Sequence, residues 1–302
     1  MESTCKLKNI MEKLKEALRC GLPCNDKGYL ESYQDNIYQG YMPDRFRNMF
    51  TNGSGSELRS KAEAVHSSSM LAYNFFHWVS EKYPLTINDI KYTQVFFEVK
   101  MEAITTDANM DILLIDKSMK RLLFIESKFL EYLYSKKYDL KDAYREQKGW
   151  KLFLSDVDKI VPKENDNSDY QEGIKQGVTH LFALAKLKEG KAFNHLNKTN
   201  GLNLDIKSIQ DAKDIKFINL LFEPNEKEYD YEHTKFNNYH KLYNEFREIV
   251  QDSKIIDIPI DIDVLTYSEL WKMAKNDIKK VDKGHLHQYL EERYMRFAEM
   301  KW

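Results

Sequence analysis

The chain has 302 residues, 42% of them hydrophobic and 13% aromatic, which suits one large domain with extensions or two domains and argues against global disorder. Its net charge of −2 argues against a surface coated in basic residues, although a local basic face would still hold phosphate. Three cysteines, Cys5, Cys20 and Cys24, argue against a disulfide framework and fit a reducing cytoplasm, no apolar run nears the roughly 20 residues of a membrane span, and the N-terminus does not read as a signal peptide.

Residues 6–20 have helical spacing, with Leu7, Ile10, Met11, Leu14 and Leu18 on one stripe. Residues 21–56 are interrupted by Gly21, Pro23, Gly28, Gly40, Pro43, Gly53 and Gly55 and read as an irregular extension with an Arg45-Phe46-Arg47 cluster. A helix is expected from near Ser56, its N-cap, to about Tyr83, where Pro84 stops it. Thr93–Met101 is strand-like and holds Glu98 among apolar and β-branched neighbours.

Residues 109–128 are the most informative. Two apolar runs, Ile112–Ile115 and Leu122–Ile125, flank a short polar turn and read as paired strands. A turn centred between Ser118 and Met119 places Asp111 opposite Glu126, with Cβ atoms roughly 5 Å apart. Alternation along the strand then puts Glu126 and Lys128 on one face and Ser127 on the other. A slip of one residue would dissolve the arrangement. Two carboxylates and an ammonium at one spot suit a hard divalent metal and a phosphodiester.

Residues 130–155 look helical and include Tyr132, Tyr134, Lys136, Lys137 and Tyr138; residues 162–170 read as a polar loop. A helix through 171–187 sets Gln176 and His180 one turn apart. Lys216–Phe222 is a buried-type strand stopped by Pro224, and 234–302 is mostly helical, interrupted around 255–263. The order helix, strand, strand, strand, helix, strand gives an α/β core with helical additions at both ends.

An aspartate on one strand and Glu-x-Lys on the next, in this element order, resembles the PD-(D/E)xK nuclease superfamily. The string Phe124-Ile-Glu-Ser-Lys-Phe129, with Glu131 just beyond, is similar to its bacterial restriction-endonuclease-like members, and His66–Asn74 looks like the helix ahead of their core. The resemblance covers roughly residues 57–223; Met110, where the name-giving pattern has proline, is the one departure. It implies an α-β-β-β-α-β core with a central mixed sheet at 57–223, an extension at 1–56, and a mainly helical extension at 224–302 packed on the core. It further implies a Mg²⁺-dependent deoxyribonuclease, Mn²⁺ substituting, an endonuclease of restriction, defence or repair type. Asp111 and Glu126 would bind the metal, the Ser127 carbonyl adding a third oxygen. Lys128 would orient the attacking water or neutralise charge, with Glu98 and Gln176 in support. DNA is the expected partner, no membrane is involved, and a homodimer would suit symmetric double-strand cutting.

Two other readings of the same residues stand beside it. One is a nucleic-acid-binding or interaction protein that keeps the fold without cutting. The other is a hydrolase that uses Asp111 and Glu126 as acid and base without metal. Cys20-x-x-x-Cys24 reads as two free thiols and His285-x-His287 as surface. The helix from His66 through Ser67, Ser68 and Asn74 reads as packing against the sheet. No phosphate-binding glycine loop supports an ATPase or dehydrogenase.

Overall fold

The apolar runs of the sequence become the strands of one sheet. The computed structural model describes residues 12–16, 18–19, 21–52, 57–134, 136–161, 170–188, 212, 214–225, 230–253 and 260–299. Six strands follow one another across the sheet in chain order: β1 (Leu85–Ile87), β2 (Ile90–Glu102), β3 (Asp107–Asp116), β4 (Arg121–Lys128), β5 (Asp214–Leu221) and β6 (Ile260–Thr266). Strands β1 to β4 pair antiparallel, and β4, β5 and β6 pair parallel. The sheet is therefore mixed, and the fold is α/β and consistent with a restriction-endonuclease-like core.

The β3–β4 turn fixes the register. Asp116 Oδ1 accepts the backbone N–H groups of Lys120 and Arg121, both at 2.9 Å. Ile112 then faces Ile125 and Ile115 faces Leu122, the pairing that the hairpin reading requires. Strand β4 is central and buried from Leu122 to Lys128, as its continuous Leu-Leu-Phe-Ile run demands.

Helices cover both faces. On one lie α1 (Asp44–Asn52) and α2 (Ser68–Phe76). There Phe46 and Tyr73 meet Phe97, and Phe75 packs on Tyr267 and Trp271. On the other lie α3 (Lys151–Ile160), α4 (Glu172–Lys188) and α5 (Asp230–Asp252). Helices α6 (Tyr267–Ile278) and α7 (His285–Arg293) complete the first layer. Close approach of α5 to α4 requires glycine: a Cβ on Gly173 would sit 2.0 Å from Tyr239 Oη, and one on Gly177 2.7 Å from Phe246 Cε1. One apolar core runs from Leu14 to Ala298.

Several expectations need correction. The single helix from Ser56 to Tyr83 is two pieces, a π-turn at Glu57–Lys61 and α2. The N-cap is Ser67, whose Oγ accepts the Met70 N–H. Residues 130–155 form no continuous helix but short turns, followed by α3. Here Glu131 Oε2 accepts the N–H groups of Phe129 and Leu130, and Tyr138 N–H bonds to Gln171 Oε1, tying the segment to the start of α4. The 255–263 interruption contains the start of β6, and the irregular 21–56 stretch contains α1. Of the N-terminal stripe, Leu14 and Leu18 are buried, while Leu7, Ile10 and Met11 lie outside the described residues.

Candidate active site

The site lies at the end of β4, where the sheet changes from antiparallel to parallel pairing. Ile112 and Ile125 are the last partners between β3 and β4, whereas β4 continues beside β5 through Glu126, Ser127 and Lys128. Beyond Ile125, a side chain replaces the ladder: Asp111 Oδ2 accepts the Ser127 N–H at 2.6 Å. Lys128 C=O accepts the Phe222 N–H on the β5 side. Alternation therefore turns the Ser127 N–H and C=O together toward Asp111.

Side chains alternate as the sequence requires. Ser127 Oγ faces the α2–α6 layer, 2.7 Å from Tyr267 Oη and 3.4 Å from the Ser68 carbonyl. Glu126 and Lys128 face the α4 layer and form a buried ion pair, Nζ to Oε1 at 2.6 Å. His180 Nε2 stands 3.8 Å from Glu126 Oε2. Burial alone would lower the proton affinity of Lys128, but the Glu126 carboxylate overrides this and raises it well above an ordinary lysine. Burial lowers that of His180.

On the other side of β3, Glu98 stands level with Asp111, between the pairs Phe97–Ile112 and Val99–Met110. Its φ is +51°, a left-handed backbone in the middle of a strand. Such a residue costs about 1–3 kcal/mol, and this strain clusters at functional sites. Glu98, Asp111 and Glu126 thus stand level on three adjacent strands. Glu98 is pushed up to about 8, first by burial and then by the charges of Glu57 and Glu126. Asp111 is raised well above the usual carboxylate range, first by burial and then by Glu126.

These groups line one cavity of about 480 Å³. Asp111, Glu126, Ser127, Lys128, Glu98 and Gln176, the six residues singled out from sequence, all border it. His66, Ser67 and Ser68 join them, whereas Asn74 is buried elsewhere, bonding the Asn36 carbonyl and Tyr294 Oη. Cys24 is a free thiol, and Cys5 and Cys20 lie outside the described residues. His285 is exposed beside Asp282, and His287 rests against Trp271. Tyr132 is buried, its hydroxyl donating to the Phe222 carbonyl.

Sequence reading overlooked Glu57 and Tyr267. Glu57 binds Lys61 at 2.6 Å and accepts from Ser69 Oγ at 3.0 Å. It has no local signal, since an acidic residue beside a serine cap is a common helix start.

The cavity wall holds six carboxylates (Glu57, Glu98, Asp111, Glu126, Glu131, Glu172) against three lysines (Lys61, Lys128, Lys136). Each lysine is paired, with Glu57, Glu126 and Glu172 respectively. Glu131 caps backbone N–H groups, which leaves Glu98 and Asp111 without a salt bridge among the described residues. Glu126 Oε2 is buried without a hydrogen-bond partner, and so is Gln176 Oε1. Carboxylates without a salt bridge, beside the unpartnered Gln176 oxygen at the cavity wall, fit a hard cation. No three His, Cys, Asp or Glu among the described residues form a ready-made cage. Mg²⁺ needs none: one or two carboxylates suffice, with water and substrate oxygens completing its shell. Asp111, Glu126 and the Ser127 carbonyl would hold it.

Comparison with known proteins gives one result. A family model described as restriction endonuclease associating with ARP matches residues 11–295. No curated protein and no solved structure matches the chain. Among the described residues, no helix is long and apolar enough to cross a membrane.

Proposed function

The chain belongs to the family of restriction endonucleases associating with ARP, and on that premise we propose that it is a Mg²⁺-dependent nuclease that hydrolyses phosphodiester bonds in DNA. The observation that supports this best is the placement of Asp111 and Glu126. One carboxylate takes the backbone N–H of the Glu-Ser-Lys segment, the other is paired with the Lys128 ammonium, and all three groups border one cavity.

The cation would supply Lewis acidity, stabilising charge on the phosphoryl oxygens and acidifying water. The protein supplies the rest. Asp111 and Glu126 would hold the cation at the wall of the cavity. Lys128 is held as an ammonium and donates rather than accepts, so it orients the attacking water and offsets charge on the phosphate. Gln176, with a free acceptor at the cavity wall, positions water or a phosphate-bound donor. Glu98, level with Asp111 on the neighbouring strand, would offer a further carboxylate to the cation or its water.

The test is cleavage of plasmid and linear DNA with Mg²⁺, Mn²⁺ or EDTA. The expected result is cutting that needs metal and falls at least 100-fold in D111N, E126Q and K128A. Full cleavage by K128A overturns the assignment. Binding without cutting in every divalent metal would leave a nucleic-acid-binding protein that retains the fold.

A further inference from the structure

The carboxylate of Glu126 is held on one side only. Oε1 receives Lys128 Nζ, while Oε2 is buried and lacks a hydrogen-bond partner. His180 stands across from it, Nε2 at 3.8 Å, and is itself 3% exposed. Its Nδ1 is also without a hydrogen-bond partner. The ring is fixed in place, edge-on to Phe217 at 5.3 Å and 82° and in hydrogen-bonding reach of the Asn109 backbone. It is mounted on α4, which the glycines at 173 and 177 allow to lie tight against α5. A ring nitrogen and a carboxylate oxygen thus face each other, both buried, somewhat beyond hydrogen-bond length.

We propose that His180 is a positioning residue for Glu126: an imidazole N–H caps Oε2 when the carboxylate turns to engage a cation, and this contact sets the cation affinity of the site. The inference rests on the reading of Asp111 and Glu126 as a metal centre. A carboxylate that binds metal through one oxygen requires a donor at the other, or that oxygen is left buried and unpaired. Outer partners of this kind typically contribute 10–100-fold in metal affinity. A histidine that only filled space between α4 and β5 would be replaceable by phenylalanine without effect on the cation.

The measurement is Mn²⁺ binding to the full chain without DNA, by calorimetry, in wild type, D111N, H180F and H180N. The expected outcome is binding that D111N abolishes, that H180F weakens about 10-fold or more, and that H180N restores in part. Wild-type binding matched by H180F overturns the inference alone. Wild-type protein that binds no Mn²⁺, or binds it equally in D111N, overturns the metal reading and the inference together. A second readout is independent of whether the variants fold. In wild type with isotope-labelled histidine, Mg²⁺ should move one imidazole N–H proton downfield; histidine signals unchanged at saturating Mg²⁺ overturn the proposal.

Discussion

Glu98 combines two unfavourable features, a left-handed backbone and a buried carboxyl facing other carboxylates. Its ordinary value of 4.5 is raised to about 8 in the fold, so the folded chain holds a proton that the unfolded chain releases. The stabilisation is therefore complete below about 4.5 and is lost as pH rises through about 8. Thermal unfolding in EDTA should show a Tm that falls across this window, with a flatter profile in E98Q. Mg²⁺ should restore more stability at the alkaline end, where the carboxylates are ionised. Lys128 and Glu126 give a second residue-scale prediction. Removing one member of a buried pair costs about 3–5 kcal/mol because the other charge is stranded. K128M should therefore lose stability in urea unfolding, and E126Q/K128M should recover most of it; equal losses in both would refute the coupling. At this scale the sequence was legible wherever arithmetic along a hairpin decides neighbours, as for Asp111 and Glu126. Glu57 was not, because it reaches Glu98 through folding of a segment some forty positions upstream of it.

At the scale of elements, helix α4 shows how packing sets chemistry. Gly173 and Gly177 face α5, while Gln176 lines the cavity and His180 faces Glu126. G173A should drive a methyl into Tyr239 and cost about 1–3 kcal/mol, the usual scale of overpacking. It should also displace Gln176 and His180, so DNA cleavage should fall more than folded protein does; unchanged kcat in a destabilised G173A would show that the helix position is irrelevant to the site. The helix itself and strands β2 to β5 were legible from period and length. The fate of 130–155 was not. Its tyrosines and lysines have helical composition, but Glu131 bends the chain at its start and Gln171 holds Tyr138, a contact with partners 33 residues apart. The break after Lys61 was legible in principle, since Ser67 is as good a cap as Ser56, and periodicity alone did not choose between them.

At the scale of the whole molecule, the two flanking stretches are built into the core. Arg293 is 2% exposed and donates to the Leu18 carbonyl at 3.2 Å and to Asn36 Oδ1. Asn36 donates to the Ala62 and Ala64 carbonyls, and Asn74 bonds both the Asn36 carbonyl and Tyr294. Residues near both ends thus meet at the loop ahead of α2. R293M should leave two buried acceptors short of a donor, at about 1–3 kcal/mol each, and lower the urea midpoint while a single cooperative transition is retained. A separate early transition would show the flanks to be independent. The same integration explains why the last strand was not anticipated. Ile260–Thr266 alternates Ile-Asp-Ile-Asp-Val, a strand pattern, but the preceding Ile/Asp/Pro run masks its start.

That strand has a consequence beyond architecture. β6 covers β5 from Ile215 to Leu221, a segment with Ile215, Phe217, Ile218, Leu220 and Leu221 all buried. A chain shortened before Ile260 would retain every candidate metal ligand and yet expose β5 as an open apolar edge. Open edges of this kind recruit other chains. During synthesis, the motif emerges well before the strand that shields it, so a truncated product would be expected to aggregate rather than to cut DNA.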